Sequence, residues 1–194
     1  EQKAVIRDLY AVLLHTSATH AGFEFSILPW KDRDFMMNMS PHGWFAAEYR
    51  ILLRNMMIRE EDDTLHLLSA ISPAWVQTGE KIEVKHAPTR FGKVSFTLLF
   101  KRKSAVLNLS CDFQSVPSAM FLHLPWFMQV KEILVDGKQI PLDEKCVQIS
   151  PGTHQIKLMW KPHRKSTAHS YARTVDAYKN EYKRRYEQFL KEGD

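Results

Sequence analysis

The sequence predicts an α+β fold: an antiparallel β-sandwich flanked by helices at both ends. Three observations carry this. Apolar residues recur at three- and four-residue spacings over 2–14 and 42–59, the period changes to two between 64 and 160, and it returns to helical spacing over roughly 167–191. With 44% hydrophobic and 25% charged residues among 194, the chain has the composition of a core-forming globular protein.

The first helix, QKAVIRDLYAVLL, places Val5, Leu9, Val12 and Leu13 on one face. No capping residue precedes it, which suggests a chain that starts inside a larger arrangement. A loop of about 25 residues follows, from His15 to Ser40, and ordered loops of that length are usually functional. Ser40-Pro41 then reads as a helix start, serine as N-cap and proline at the first helical position. The helix, HGWFAAEYRILLRNMMIRE, aligns Phe45, Tyr49, Leu52, Leu53 and Met56, while Trp44, Ile51 and Ile58 widen its apolar girth. A helix so apolar is expected to be mostly buried among several others, and the sequence supplies only one neighbour before it.

After the acidic turn EEDD at 60–63, TLHLLSAI reads as a strand and PAWVQTGE as a short helical turn. IEVKH, KVSFTLLFK, AVLNLSC, MFLHL and VKEILV continue as strands, with Val94, Phe96, Leu98 and Phe100 on one side. Asp136-Gly137 is a hairpin turn, because both central positions of a type I′ turn need positive φ. CVQI and HQIKLMW, separated by Ser150-Pro151-Gly152, complete about eight short strands, the pattern of a sandwich. In the tail, Tyr171, Val175, Tyr178, Tyr182, Tyr186 and Phe189 form a stripe that reads as a face docked on the sandwich.

Several function classes are disfavoured. The net charge of +5 is concentrated in residues 161–194, with nine Lys/Arg against five Asp/Glu, but it is interleaved and lacks a recognition motif, so no nucleic-acid partner is expected. No apolar run reaches the length of a bilayer span, so no membrane partner is expected either. GxSxG, P-loop, Rossmann, HExxH and CxxC patterns are missing. His15 and His20, five apart, do not share a helical face, so no metal and no cofactor are expected. Cys111 and Cys146, 35 residues apart, could pair, but they read first as free thiols buried on core strands.

The order of helices, long loop and sandwich carries a resemblance. SPHGWFAAEYRILLRNMMIREEDDTLHLLSAISPAWVQTGEKIEVKHAPTRFGKVSFTL resembles the segment that ends a six-hairpin glycosidase barrel and opens its C-terminal β-sandwich. Its most telling parts are PHGW at the start of the last helix and the pairing of LHLLSAISPAW with APTRFGKVSF; FLHLPWF and VDGK fit the same sandwich. The resemblance covers residues 10–160 and implies an (α/α)6 barrel, of which this chain would supply the last two helices. The implied division is 1–60 for these barrel-type helices, 61–162 for the sandwich and 163–194 for a C-terminal amphipathic helix. The implied setting is extracellular or periplasmic.

Such enzymes cleave glycosidic bonds with two carboxylates, one protonating the leaving oxygen and the other activating water or attacking directly. In several families with this barrel one carboxylate lies on the loop between the last two helices, and Glu24, in THAGFEFSILPW, occupies that position. The resemblance therefore implies Glu24 as general base, carbohydrate as the ligand, and the rest of the barrel, from the same gene or another chain, as partner. The residues themselves are compatible: Phe23, Phe25 and Trp30 would shield the carboxylate and tune its pKa. Trp30 would stack a sugar, His20 and His42 would meet its hydroxyls, and Trp44 is counted with them as substrate-binding. Read without the resemblance, Glu24 is equally a loop charge, Trp30 a loop anchor and His42 a packing residue. Asp32 and Asp34 read as solvated. The chain holds no helices to carry a second catalytic acid, and Glu48 on the last helix is no substitute, so alone it is expected to be inactive. The rival expectation is a non-catalytic sandwich that binds a glycan or supports a neighbouring domain, for which Trp126 and Trp160 are the residues to inspect.

Overall fold

A computed structural model of the chain describes residues 1–17, 19–23, 40–143, 145–161 and 170–192. Two helices come first, α1 (Gln2–Leu14) and α2 (Gly43–Met57). Ten strands follow: β1 (Ile58–Glu61), β2 (Thr64–Leu67), β3 (Lys81–Thr89), β4 (Gly92–Phe100), β5 (Ser104–Phe113), β6 (Ala119–His123), β7 (Val130–Val135), β8 (Lys138–Gln139), β9 (Cys146–Ile149) and β10 (Gln155–Trp160). Helix α3 (Tyr171–Glu192) closes the order. The α+β class, with a largely antiparallel two-sheet sandwich, is what the periodicities predict.

The smaller sheet has the order β1-β2-β6-β9 and the larger β3-β4-β5-β10-β7-β8. Every pair is antiparallel except β2 with β6, which run parallel with Leu65 opposite Met120 and Leu67 opposite Leu122. Alternation sends one face of each sheet inward. Val94, Phe96, Leu98 and Phe100 of β4 and Ile133 of β7 meet Leu65, Leu67, Met120 and Leu122 of the small sheet, all nearly inaccessible to water. The turn at Asp136-Gly137 has the two positive φ angles it requires, 46° and 80°. The Asp136 carboxylate accepts the Gln155 N–H at 2.7 Å, which ties this turn to β10.

Strands β1 and β8 are absent from the sequence reading, and several boundaries differ. The second helix ends at Met57, and Ile58–Glu61 is strand β1, paired with β2 around the two-residue turn Asp62-Asp63. Its start is also later than Ser40-Pro41 suggests. His42 takes the N-cap position in extended conformation, because its N–H is bonded to Gly22 O at 3.1 Å. Strand β2 stops at Leu67 instead of running to Ile71, since Leu68 has a φ of 55° and the N–H groups of Leu68 and Ala70 bond to Met57 O and Met56 O. The chain there leaves the sheet to close the end of α2. Strand β8, two residues long, is too short to carry a period.

The helices form a second cluster on one flank of the sandwich: Ile6, Leu9 and Tyr10 of α1, Met56 of α2, and Ala70, with Leu52, Leu53 and Trp126 partly buried against them. Buried Tyr10 OH and Ser72 Oγ share a hydrogen bond of 2.7 Å. The Gln2 amide donates to Leu124 O at 3.0 Å and accepts from Trp126 N–H at 3.4 Å, fastening the start of α1 to the loop after β6. Arg54 does the same for the end of α2, donating to Pro88 O at 2.7 Å and to Glu60 at 3.2 Å.

Two packing expectations are corrected. Helix α2 is not mostly buried: only Met56 is, while Trp44 is 77% and Ile51 48% exposed. One side of the helix meets α1 and the sandwich, and among the described residues no element covers the other. Among the described residues the tail helix packs chiefly on α1, where the sandwich was expected, with Tyr171 edge-on to Tyr10 at 6.3 Å and Tyr178 edge-on to His15 at 4.8 Å. Periodicity identifies the face a helix turns inward but not the element that receives it.

Candidate functional site

The first candidate lies where α1 and α2 approach each other. At the end of α1, His15 Nδ1–H donates to Ala11 O at 2.7 Å. Thr16 Oγ1–H is spent on Leu13 O at 2.7 Å, so its oxygen receives His20 Nδ1–H at 3.3 Å. A tight turn follows. Ser17 N–H bonds to Ala21 O at 2.9 Å, Ala21 N–H to Ser17 Oγ at 3.0 Å, and His20 at its apex has a φ of 59°. Gly22 then meets the N-terminal end of α2. Its carbonyl accepts from His42, and the Phe45 ring fills the place a Cβ would need, so any side chain at 22 must displace that ring.

His42 and Trp44 are brought together, their rings edge-on at 5.6 Å. His20 is directed to Thr16. Glu24, Trp30, Phe25, Asp32 and Asp34 lie outside the described residues. Glu48 is exposed. The two tryptophans inspected for glycan binding do not form an outer platform: Trp160 is in the sandwich core and Trp126 is half-buried against the helices.

A second polar constellation, not singled out in the sequence, occupies the outer face of the small sheet. The alternation that buries Leu65, Leu67, Met120 and Leu122 turns Arg59 and Glu61 of β1, Thr64 and His66 of β2, and Phe121 and His123 of β6 outward. Cys146 of β9 stands opposite His123 in the register. His66 Nδ1 and His123 Nε2 are 2.8 Å apart, His66 Nε2 lies 3.0 Å from Thr64 Oγ1 and 3.6 Å from Glu61 Oε2, and Phe121 stacks on His66 at 5.2 Å. Burial holds both imidazoles below the ordinary histidine value. The Arg59 guanidinium adds to this at His66, and the His66 charge and Arg59 add to it at His123, while Glu61 opposes it at both. The bond from Arg59 keeps Glu61 below the usual carboxylate range.

Beside this cluster is an open cleft of about 440 Å³ between Phe121, Leu142, Cys146 and Gln148. Both cysteines are free thiols, and burial pushes Cys111 up to about 11. Among the described residues no three His, Cys, Asp or Glu side chains are placed to hold a metal ion, and no helix is long and apolar enough to cross a membrane.

The signal for the histidine pair is present in TLHL and FLHL, where alternation puts each histidine on the side opposite its leucines. Their meeting depends on β2 and β6 being parallel neighbours, with more than fifty residues between them in the chain. Local periodicity has no access to that pairing. No protein family, curated protein or solved structure matches the chain.

Proposed function

We propose that the chain is the closing helical hairpin and supporting β-sandwich of a glycoside-hydrolase-like protein. In this reading Glu24 acts as general base and His20, Trp30, His42 and Trp44 line the sugar site. The observation that supports it best is the two-sided character of α2. Its inner side is seated on α1 and the sandwich, while Trp44 and Ile51 are exposed on the other, uncovered among the described residues, as the last helix of a barrel would be when its barrel neighbours are not beside it. The fastening of Gly22 to the start of α2 also supports it, because it holds Gly22, two residues before Glu24 in the chain, against His42 and Phe45.

The sandwich then has a mechanical role. Gln2, Arg54 and the Tyr10–Ser72 bond fix the two helices on it, and with them the two ends of the segment that carries Glu24. Glu24 alone cannot run the two-carboxylate reaction, so the partner acid comes from barrel helices, in the same gene product or another chain. Turnover tests the reading. The protein complete with its barrel is expected to hydrolyse a glycoside and the 194-residue chain alone is not; hydrolysis at the same rate by the isolated chain would count against it.

A further inference from the structure

Hydrogen-bond directions on the outer face of the small sheet determine where each proton of the His66–His123 pair sits. Thr64 has one hydroxyl hydrogen, and it goes to Glu61 O at 2.7 Å. Its oxygen is therefore the acceptor for His66 Nε2 at 3.0 Å, so Nε2 carries hydrogen and Nδ1 of the neutral ring is bare. Bare Nδ1 can only accept, so the bridge at 2.8 Å is donated by His123 Nε2–H. Of the four ring nitrogens, His123 Nδ1 is left with the open lone pair.

We propose that this pair is a one-proton latch across the parallel β2–β6 seam: a first proton enters at His123 Nδ1 with the bridge intact, and a second breaks it. After the first proton the outer nitrogens both carry hydrogen, and the bridging hydrogen lies between two bases. The charge is then shared along the line and drawn toward Glu61, 3.6 Å from His66. A second proton has no nitrogen left except by placing hydrogens on both facing atoms at 2.8 Å, and it sets two like charges side by side. The bridge must open.

Among the described residues, few charged and titratable groups surround the pair. From β1, Arg59 opposes protonation and Glu61 favours it. From β6 and β9, uncharged Phe121 stacks on His66, and Cys146 stands opposite His123. Because both imidazoles lie below their ordinary value in the folded chain, the folded state binds fewer protons than the unfolded one once the pH falls below about 6.5. The pair's contribution is thus full above that pH and is lost as the pH falls through the lowered values. Phe121, which stacks on His66, is also a wall of the cleft, so a movement of His66 as the bridge opens is passed to the cleft.

Nitrogen NMR of the imidazoles in the 194-residue chain, titrated from pH 8 to 4, tests this. Both histidines should carry hydrogen on Nε2 at pH 8, and protons should enter in two steps separated by about tenfold or more in affinity, with the bridging hydrogen surviving the first. In His66→Gln, His123 should titrate in a single step closer to the ordinary histidine value. Two rings titrating independently at one midpoint, a hydrogen on His123 Nδ1 at pH 8, or an unchanged His123 titration in His66→Gln would each overturn the latch.

Discussion

Glu24→Gln in the complete protein is expected to lower glycoside hydrolysis by about 10²- to 10⁴-fold, the usual worth of a positioned general base. Glutamine keeps the size and much of the hydrogen bonding of glutamate, so the loop loses only the ability to take a proton from water or to attack the sugar. Substrate binding should change far less than turnover, since the sugar's contacts in the proposed site belong to His20, Trp30, His42 and Trp44. An effect confined to KM would assign Glu24 to binding, and near-parental turnover would remove it from the mechanism.

Leu122→Ala is expected to destabilise the chain by about 3 kcal/mol, because the methyl groups it removes leave a cavity that paired strands cannot collapse into. Leu122 is 0% exposed, and its strand is bonded to β2 on one side and β9 on the other. It points into the sandwich while its neighbours Phe121 and His123 line the outer face. The contrast is Leu190 on α3, 64% exposed, whose change to alanine should stay within about 0.5 kcal/mol. Urea unfolding measures both as a shift of midpoint at constant slope. A cost for Leu122→Ala no larger than that for Leu190→Ala would contradict the inward orientation of this face.

Alternation within strands was legible from the sequence because a half-buried sheet forces it locally. Val94, Phe96, Leu98 and Phe100 lie on the core side as their spacing indicates. The turn at Asp136-Gly137 was legible because only residues that tolerate positive φ can occupy it. Long-range bonds moved the boundaries. His42 is held out of α2 by Gly22, and Leu68 is drawn out of β2 by Met57, partners that no local window contains. The docking of α3 on α1 and the meeting of His66 with His123 are of the same kind. The candidate site is partly in view: the structure describes His20, His42 and Trp44, and the sequence places Glu24 one residue beyond Phe23.

In the proposed function, the exposed side of α2 is a surface for barrel helices. Hydroxyl-radical footprinting of Trp44 tests it most directly, comparing the isolated chain with the protein that includes its barrel. Trp44, 77% exposed in the chain described here, should oxidise readily in isolation and be strongly protected in the complete protein, with Ile51 following it. Equal oxidation in the two would mean that no helix covers this face and that α2 does not close a barrel.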